Sequence, residues 1–211
     1  MPSHSTSPLI TIEQARALYR QDGSAHGFEH VLRVLKLAER IGAAEGADLQ
    51  IVRAATLLHD VARGQAGNHA VLGAVRAREV LAGAPADVID AVAHAIAAHR
   101  FRGNAQPATL EARVLSDADK LDAIGAFGVA RAYAIAGEDG QRLWAAVSPA
   151  DYPDIRAIPA SEHTPVHEYV YKLSRLSERL YTPAARRIAE GRRAFMQAFF
   201  AELDLEVTGE H

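Results

Sequence analysis

Apolar residues recur at spacings of three and four along most of this chain, the period of helices that bury one face. Val31, Val34, Leu35, Ala38 and Ile41 form one such stripe and predict a helix from near Gly27 that ends over Gly42 to Gly46. Asp48 is placed to cap the next helix, where Ile51, Val52, Ala55, Leu58 and Ala62 mark the apolar face and His59 points inward with them. Asn68 is the expected cap of a helix carrying His69, Leu72, Val75 and Val80, which Gly83-Ala84-Pro85 ends. Ile89, Val92 and Ile96 make a further stripe that His99 continues. His94, about 200° round from Val92 and Ile96, is expected to face solvent. Leu110 to Ala136 reads as one or two helices, with Gly125 and Gly128 allowing close contact, and Gln141 to Trp144 as a short one.

Punctuation along the chain sets the remaining elements. Thr11 and Gln14 have capping-box spacing, which predicts a short helix to about Tyr19, broken by Asp22-Gly23-Ser24. Four prolines between Ser148 and Pro165 describe an excursion over the surface, a candidate lid. Thr164-Pro165 and Thr182-Pro183 each pair a cap with proline at the first helical position, predicting helices over about 166–181 and 183–203. The expected fold class is all-α. Residues 1–10 are read as a flexible tail and 11–211 as a single domain, its core about 22–136, its excursion about 148–165 and its C-terminal helix pair about 166–203.

Composition narrows the function classes. A chain of 211 residues can bury a substantial core, and its low aromatic content with abundant Ala, Leu, Val and Arg favours helices. A net charge of −3 offers no footprint for duplex nucleic acid. There is no cysteine for disulfide or thiolate chemistry, no apolar run of membrane-spanning length and no signal-like start. A soluble cytoplasmic protein, without duplex nucleic-acid or membrane partners, is the expectation.

The chemistry concentrates at Thr56-Leu57-Leu58-His59-Asp60. Burying a histidine and an aspartate side by side is costly unless they are paired, hydrogen-bonded or bound to metal. Any single histidine is accounted for by a satisfied core position. His30, His59, Asp60 and Asp119 together, on three separate helices and each at or beside an inward stripe, are not. Imidazole nitrogen and carboxylate oxygen both suit divalent first-row metals.

The ordered set of His30 in HGFEHVLRV, His59 and Asp60 in LLHDVA, and Asp119 in DADKLDAIGAFGVARA resembles the HD-domain superfamily of metal-dependent phosphohydrolases. The resemblance covers roughly residues 22–205, and the stretch from His167 through Leu203 is similar to a bacterial subgroup that includes (deoxy)nucleoside triphosphate pyrophosphohydrolases. It implies an HD-type helical bundle with His30, His59, Asp60 and Asp119 as metal ligands. His69 and His99 match positions that hold a second metal in some members and contact phosphate in others. After His-Asp the chain reads Val61-Ala62-Arg63-Gly64, where many relatives place an acid to hold the attacking water.

The expected activity is hydrolysis of a nucleotide, foremost of a (deoxy)nucleoside triphosphate to monophosphate and pyrophosphate. His59, Asp60, Asp119, Lys120 and Asp122 are the candidate catalytic residues, and His26, Arg33, His69, His99, Arg100 and Arg102 those for substrate. His26 touches substrate or donates a proton, and Asp122 orients a ligand or the water. Manganese is the favoured cofactor, with Mg²⁺, Fe²⁺, Co²⁺, Ni²⁺ and Zn²⁺ as alternatives. The alternatives to this activity are a cyclic-nucleotide phosphodiesterase, a two-iron oxygenase and a catalytically silent HD-like sensor. The last two helices are a candidate homodimer surface.

Overall fold

The computed structural model describes residues 7–19, 27–100 and 105–211. Residues 1–6 of the expected tail, the Asp22-Gly23-Ser24 break, His26 and Arg102 lie outside the described residues. The chain forms two compact units, Met1–Asp119 and Lys120–His211. Among the described residues the only pairing outside helices is an isolated bridge between Ala82 and Ala84, and the fold is all-α.

The first unit is built from α1 (Ile12–Arg16), α2 (Phe28–Glu45), α3 (Leu49–Leu58), α4 (His69–Val80), α5 (Ala86–Ala98) and the start of α6 (Leu110–Asp122). Three of these, α1, α3 and α4, begin at a side-chain cap that the sequence provides. Thr11 and Gln14 close the capping box of α1, Asp48 accepts from Gln50 and Ile51 N–H, and Asn68 accepts from Ala70 N–H. The α1 helix stops at Arg16, short of Tyr19, which lies in the following bend. Asp48→Ala should therefore cost about 1 kcal/mol, since two N–H groups of the first turn lose their acceptor. Thermal unfolding that starts no lower than in wild type would show the cap to be dispensable.

Packing in this unit runs α2 on α3, α3 on α5 and α4 on α5. The predicted stripes are the buried faces: Val31, Val34, Leu35, Ala38 and Ile41 on α2, and Val52, Ala55 and Leu58 on α3. On α4 the buried face is instead Ala70, Gly73, Ala74 and Ala77, and Val75 is exposed. Small residues bring α4 close. A Cβ on Gly73 would stand 3.2 Å from the His59 carbonyl oxygen and 3.3 Å from Ile96 Cγ2. His94 is half-buried rather than solvent-facing, because its Nε2 accepts from Ala108 N–H at 3.1 Å and secures the approach to α6.

The second unit contains the end of α6, α7 (Ala126–Glu138), α8 (Pro165–Glu168), α9 (Ser174–Leu176) and α10 (Pro183–Thr208). A π turn, Tyr169–Leu173, joins α8 to α9, so the helix expected over 166–181 is interrupted and ends in a 3₁₀ turn at Ser177–Arg179. The last helix runs to Thr208, past the expected 203. Gln141 to Trp144 is not helical. Gly140, at φ +65°, turns the chain into a Schellman stop in which Gln141 N–H closes on the Ala136 carbonyl at 2.8 Å and Gly140 N–H on Gly137. The excursion that follows is pinned by one phenol: Tyr171 OH donates to the Ser148 carbonyl at 2.6 Å and accepts from Tyr152 N–H at 3.0 Å.

Candidate metal centre

The α3 and α5 helices end in the same way. His59 and His99 are their C-cap residues, and each ring nitrogen Nδ1 donates to the carbonyl three residues back, Thr56 at 2.8 Å and Ile96 at 2.6 Å. Carbonyls of a last turn lack the partner four residues on that the rest of the helix has, and the Ile96 carbonyl also accepts from His99 N–H at 3.4 Å. Further donors complete both ends, Tyr19 OH to the Leu57 carbonyl at 3.0 Å and Ser116 Oγ to the His99 carbonyl at 3.1 Å. With Nδ1 committed as donor, the neutral ring presents an Nε2 lone pair. Helix C-termini also carry partial negative charge, which favours a cation nearby.

Around Asp60 these lone pairs converge. His59 Nε2 is 3.3 Å from His30 Nε2. Asp60 Oδ2 lies 3.8 Å from His30 Nε2 and 3.7 Å from His59 Nε2. Its other oxygen, Oδ1, lies 3.4 Å from His69 Nε2 and 3.9 Å from His99 Nε2. Asp119 Oδ1 joins at 3.3 Å from His30 Nε2. Two donor triads result, His30–His59–Asp60 and Asp60–His69–His99, each with its ligand atoms within 4.8 Å of one another. One carboxylate serves both.

The donor set fits a divalent cation on its own terms. Asp60 Oδ1 is buried and accepts no hydrogen bond among the described residues, although two imidazole nitrogens face it. A buried carboxylate oxygen without a partner is a several-kcal/mol defect in water-free surroundings, and a cation removes it. Burial pushes the His99 imidazole down to about 4, so that ring is neutral near pH 7 and available as a ligand. Burial alone would raise the Asp60 carboxyl, but His59 and the Arg63 guanidinium outweigh it and hold the group at about 2. Asp119 is likewise raised by burial and more strongly lowered by its hydrogen bond and charge interaction with His30, which keeps it ionised. Burial pushes the Tyr19 phenol well above its ordinary range, with the Asp60 charge adding to it.

The cluster opens on one side. Asp119 and His69 keep 27% and 18% of their side chains exposed, whereas His30, His59, Asp60 and His99 are buried. Arg100 stands beside this edge, its guanidinium on Asn68 Oδ1 at 3.0 Å, directly before His69. Arg33 is half-buried on α2, one turn after His30. Lys120 is buried with its ammonium over the Tyr181 ring, 4.7 Å from the centroid, and Asp122 is buried within reach of the Arg192 charge. Spacing along the chain missed two participants, Tyr19 and Arg63. The Arg63 guanidinium donates to Asp60 Oδ2 at 2.7 Å, from the position where relatives were expected to carry an acid.

The HD domain family matches residues 27–124, the stretch that holds every residue of both triads. The Bacillus subtilis protein YpgQ is 32% identical over 200 residues, 92% of this chain and 90% of that protein. The chain belongs to the HD-domain superfamily. Among solved structures, Bacillus subtilis YpgQ in complex with ADP aligns with this HD protein at a TM-score of 0.74 and 31% identity, covering 94% of this chain and 99% of that one. An HD-superfamily hydrolase of Bacillus thuringiensis aligns at 0.71 and 26% identity, covering 93% and 96%. Ribonuclease Y of Chloroflexus aurantiacus shares 34% identity over 110 residues, which is 50% of this chain and 20% of that protein. The HD protein described here is an enzyme, a metal-dependent phosphohydrolase. No helix among its described residues is long and apolar enough to cross a membrane.

Proposed function

We propose that this HD protein hydrolyses nucleotides, splitting a (deoxy)nucleoside triphosphate between its α and β phosphates to release monophosphate and pyrophosphate. The observation that carries the reading is the convergence of His30, His59 and Asp60 ligand atoms within 4.8 Å, with Asp119 Oδ1 3.3 Å from His30. The ADP bound by YpgQ supports a nucleotide as the ligand class. His30, His59, Asp60 and Asp119 hold the metal in this reading, with Mn²⁺ as the ion of turnover. A divalent ion held there supplies a water of lowered pKa and a polarised phosphoryl oxygen. Arg33, Arg100, Arg102 and Lys120 neutralise phosphate charge, and Asp122 orients a ligand or the water. His26 touches substrate or donates a proton. Residues 11–211 act as one cytoplasmic domain, and the C-terminal helices pair two copies.

His69 and His99 have two roles open to them. As phosphate contacts, with His69 part-exposed and His99 buried, they serve the same reaction. As ligands of the second triad with Asp60 they favour a two-metal enzyme, a cyclic-nucleotide phosphodiesterase or a two-iron oxygenase. A panel of metals against nucleotides and generic phosphoesters separates these readings. Pyrophosphate released from a triphosphate with Mn²⁺ is the expected result. Dioxygen uptake by the iron-loaded protein, without phosphate release, would replace the hydrolytic reading with the oxygenase. A purified protein silent with every metal would leave a sensor role.

A further inference from the structure

Arg63 stands three residues after Asp60 on the irregular turn between α3 and α4, just before Gly64 at φ +84°. Its guanidinium meets Asp60 Oδ2 at 2.7 Å, and 37% of its side chain remains exposed against 1% for the aspartate. Oδ2 is also the oxygen that faces the His30–His59 pair. A guanidinium and a divalent ion in that triad therefore draw on the same carboxylate oxygen, and their like charges repel across it. Guanidinium is also suited to phosphate, with a planar fork of donors and a permanent charge. The charges of Arg63 and Arg100 both act on His69, which keeps 18% of its side chain exposed.

Building on the phosphohydrolase reading above, we propose that Arg63 is a substrate-positioning residue that trades partners. Its guanidinium holds the Asp60 carboxylate and passes to a substrate phosphate when a divalent ion takes Oδ2. Metal binding and phosphate binding are thereby coupled through one side chain, each favouring the other.

The test is Arg63→Gln beside Arg63→Lys, with two equilibrium measurements and no turnover. Mn²⁺ titrated into the metal-free protein should bind Arg63→Gln about tenfold more tightly than wild type, because a competing cation has been removed. ADP titrated at saturating Mn²⁺ should bind the same variant about tenfold more weakly, because a charge-assisted pair is lost. Arg63→Lys keeps the charge without the fork and should hold Mn²⁺ affinity near wild type while weakening ADP. Opposite signs are the signature, since a folding defect weakens both ligands together. Weaker Mn²⁺ binding in Arg63→Gln would reduce Arg63 to a brace for Asp60, and unchanged ADP affinity would make it a bystander. Either result ends the proposal while leaving the hydrolase reading intact. Wild-type protein that binds no divalent ion would end both.

Discussion

Replacing Asp60 with alanine should abolish stoichiometric divalent-metal binding and lower phosphohydrolase turnover by at least about a thousandfold, or about 4 kcal/mol of barrier. The size follows from the place of this carboxylate in both donor triads, with Oδ2 toward His30 and His59 and Oδ1 toward His69 and His99. Removing any single imidazole damages one triad. Removing Asp60 damages both and also leaves Arg63 without its 2.7 Å partner. Wild-type protein at a hundredfold excess of Mn²⁺ over its dissociation constant should gain about 2.7 kcal/mol against unfolding. The Asp60→Ala melting curve should not move with Mn²⁺ at all. His59→Ala is the companion variant, because its Nε2 belongs to the His30 triad alone. Asp60→Ala that retains a Mn²⁺-dependent melting curve and near-normal turnover would refute the metal centre.

The second large effect is structural. Gly128→Ala should destabilise the protein by about 3 kcal/mol or more, in the upper range for overpacking. A Cβ on Gly128 would stand 2.2 Å from the Ala123 carbonyl oxygen and 2.7 Å from its carbonyl carbon. Both are backbone atoms, so no side chain can swing away to make room. The turn from α6 into α7 is held nearby on both sides. Gly125, at φ +83°, donates its N–H to Met196 Sδ at 3.0 Å, and Arg192 donates to the Leu121 carbonyl at 2.5 Å. Neither relaxation is cheap, and the loss should lower Tm by about 6–12 °C for a chain of this size. Gly191→Ala is the control with the opposite sign. Nothing lies within 4 Å of its added methyl on exposed α10, and replacing a mid-helix glycine should gain about 0.5–1 kcal/mol. If both substitutions shift stability equally, local crowding at Gly128 is not what the glycine relieves.

Much of the architecture was legible because the signals are local. Thr11 with Gln14, Asp48, Asn68, Thr164 and Thr182 all cap the helices that their positions announce. The α2 and α3 stripes are the buried faces, since a period of three and four residues determines which side of a helix meets its neighbours. The misreadings share one cause. The angle round the helix points His94 to solvent, but the Ala108 N–H that it accepts from comes from a loop. Trp144 lies in a stretch that looks helical, but its indole N–H is used by Asp204 of α10 at 2.7 Å. The π turn at Tyr169–Leu173 leaves no mark in the spacing of apolar residues, and Tyr169 stacks on Phe200 with centroids 4.1 Å apart.

From the chain alone came the all-α class, the helix starts, and the set of imidazoles and carboxylates offered by separate helices. Those follow from residue type and period, which act over a few neighbours. Only the folded chain decided which nitrogen and which oxygen meet, that Asp60 is shared by two triads, and that Arg63 rests on it. Distances of three to four ångströms between groups up to 89 residues apart, as His30 and Asp119 are, depend on helix crossings and turn backbones. No spacing along a sequence encodes those directly, and they are what turn a set of donors into a site.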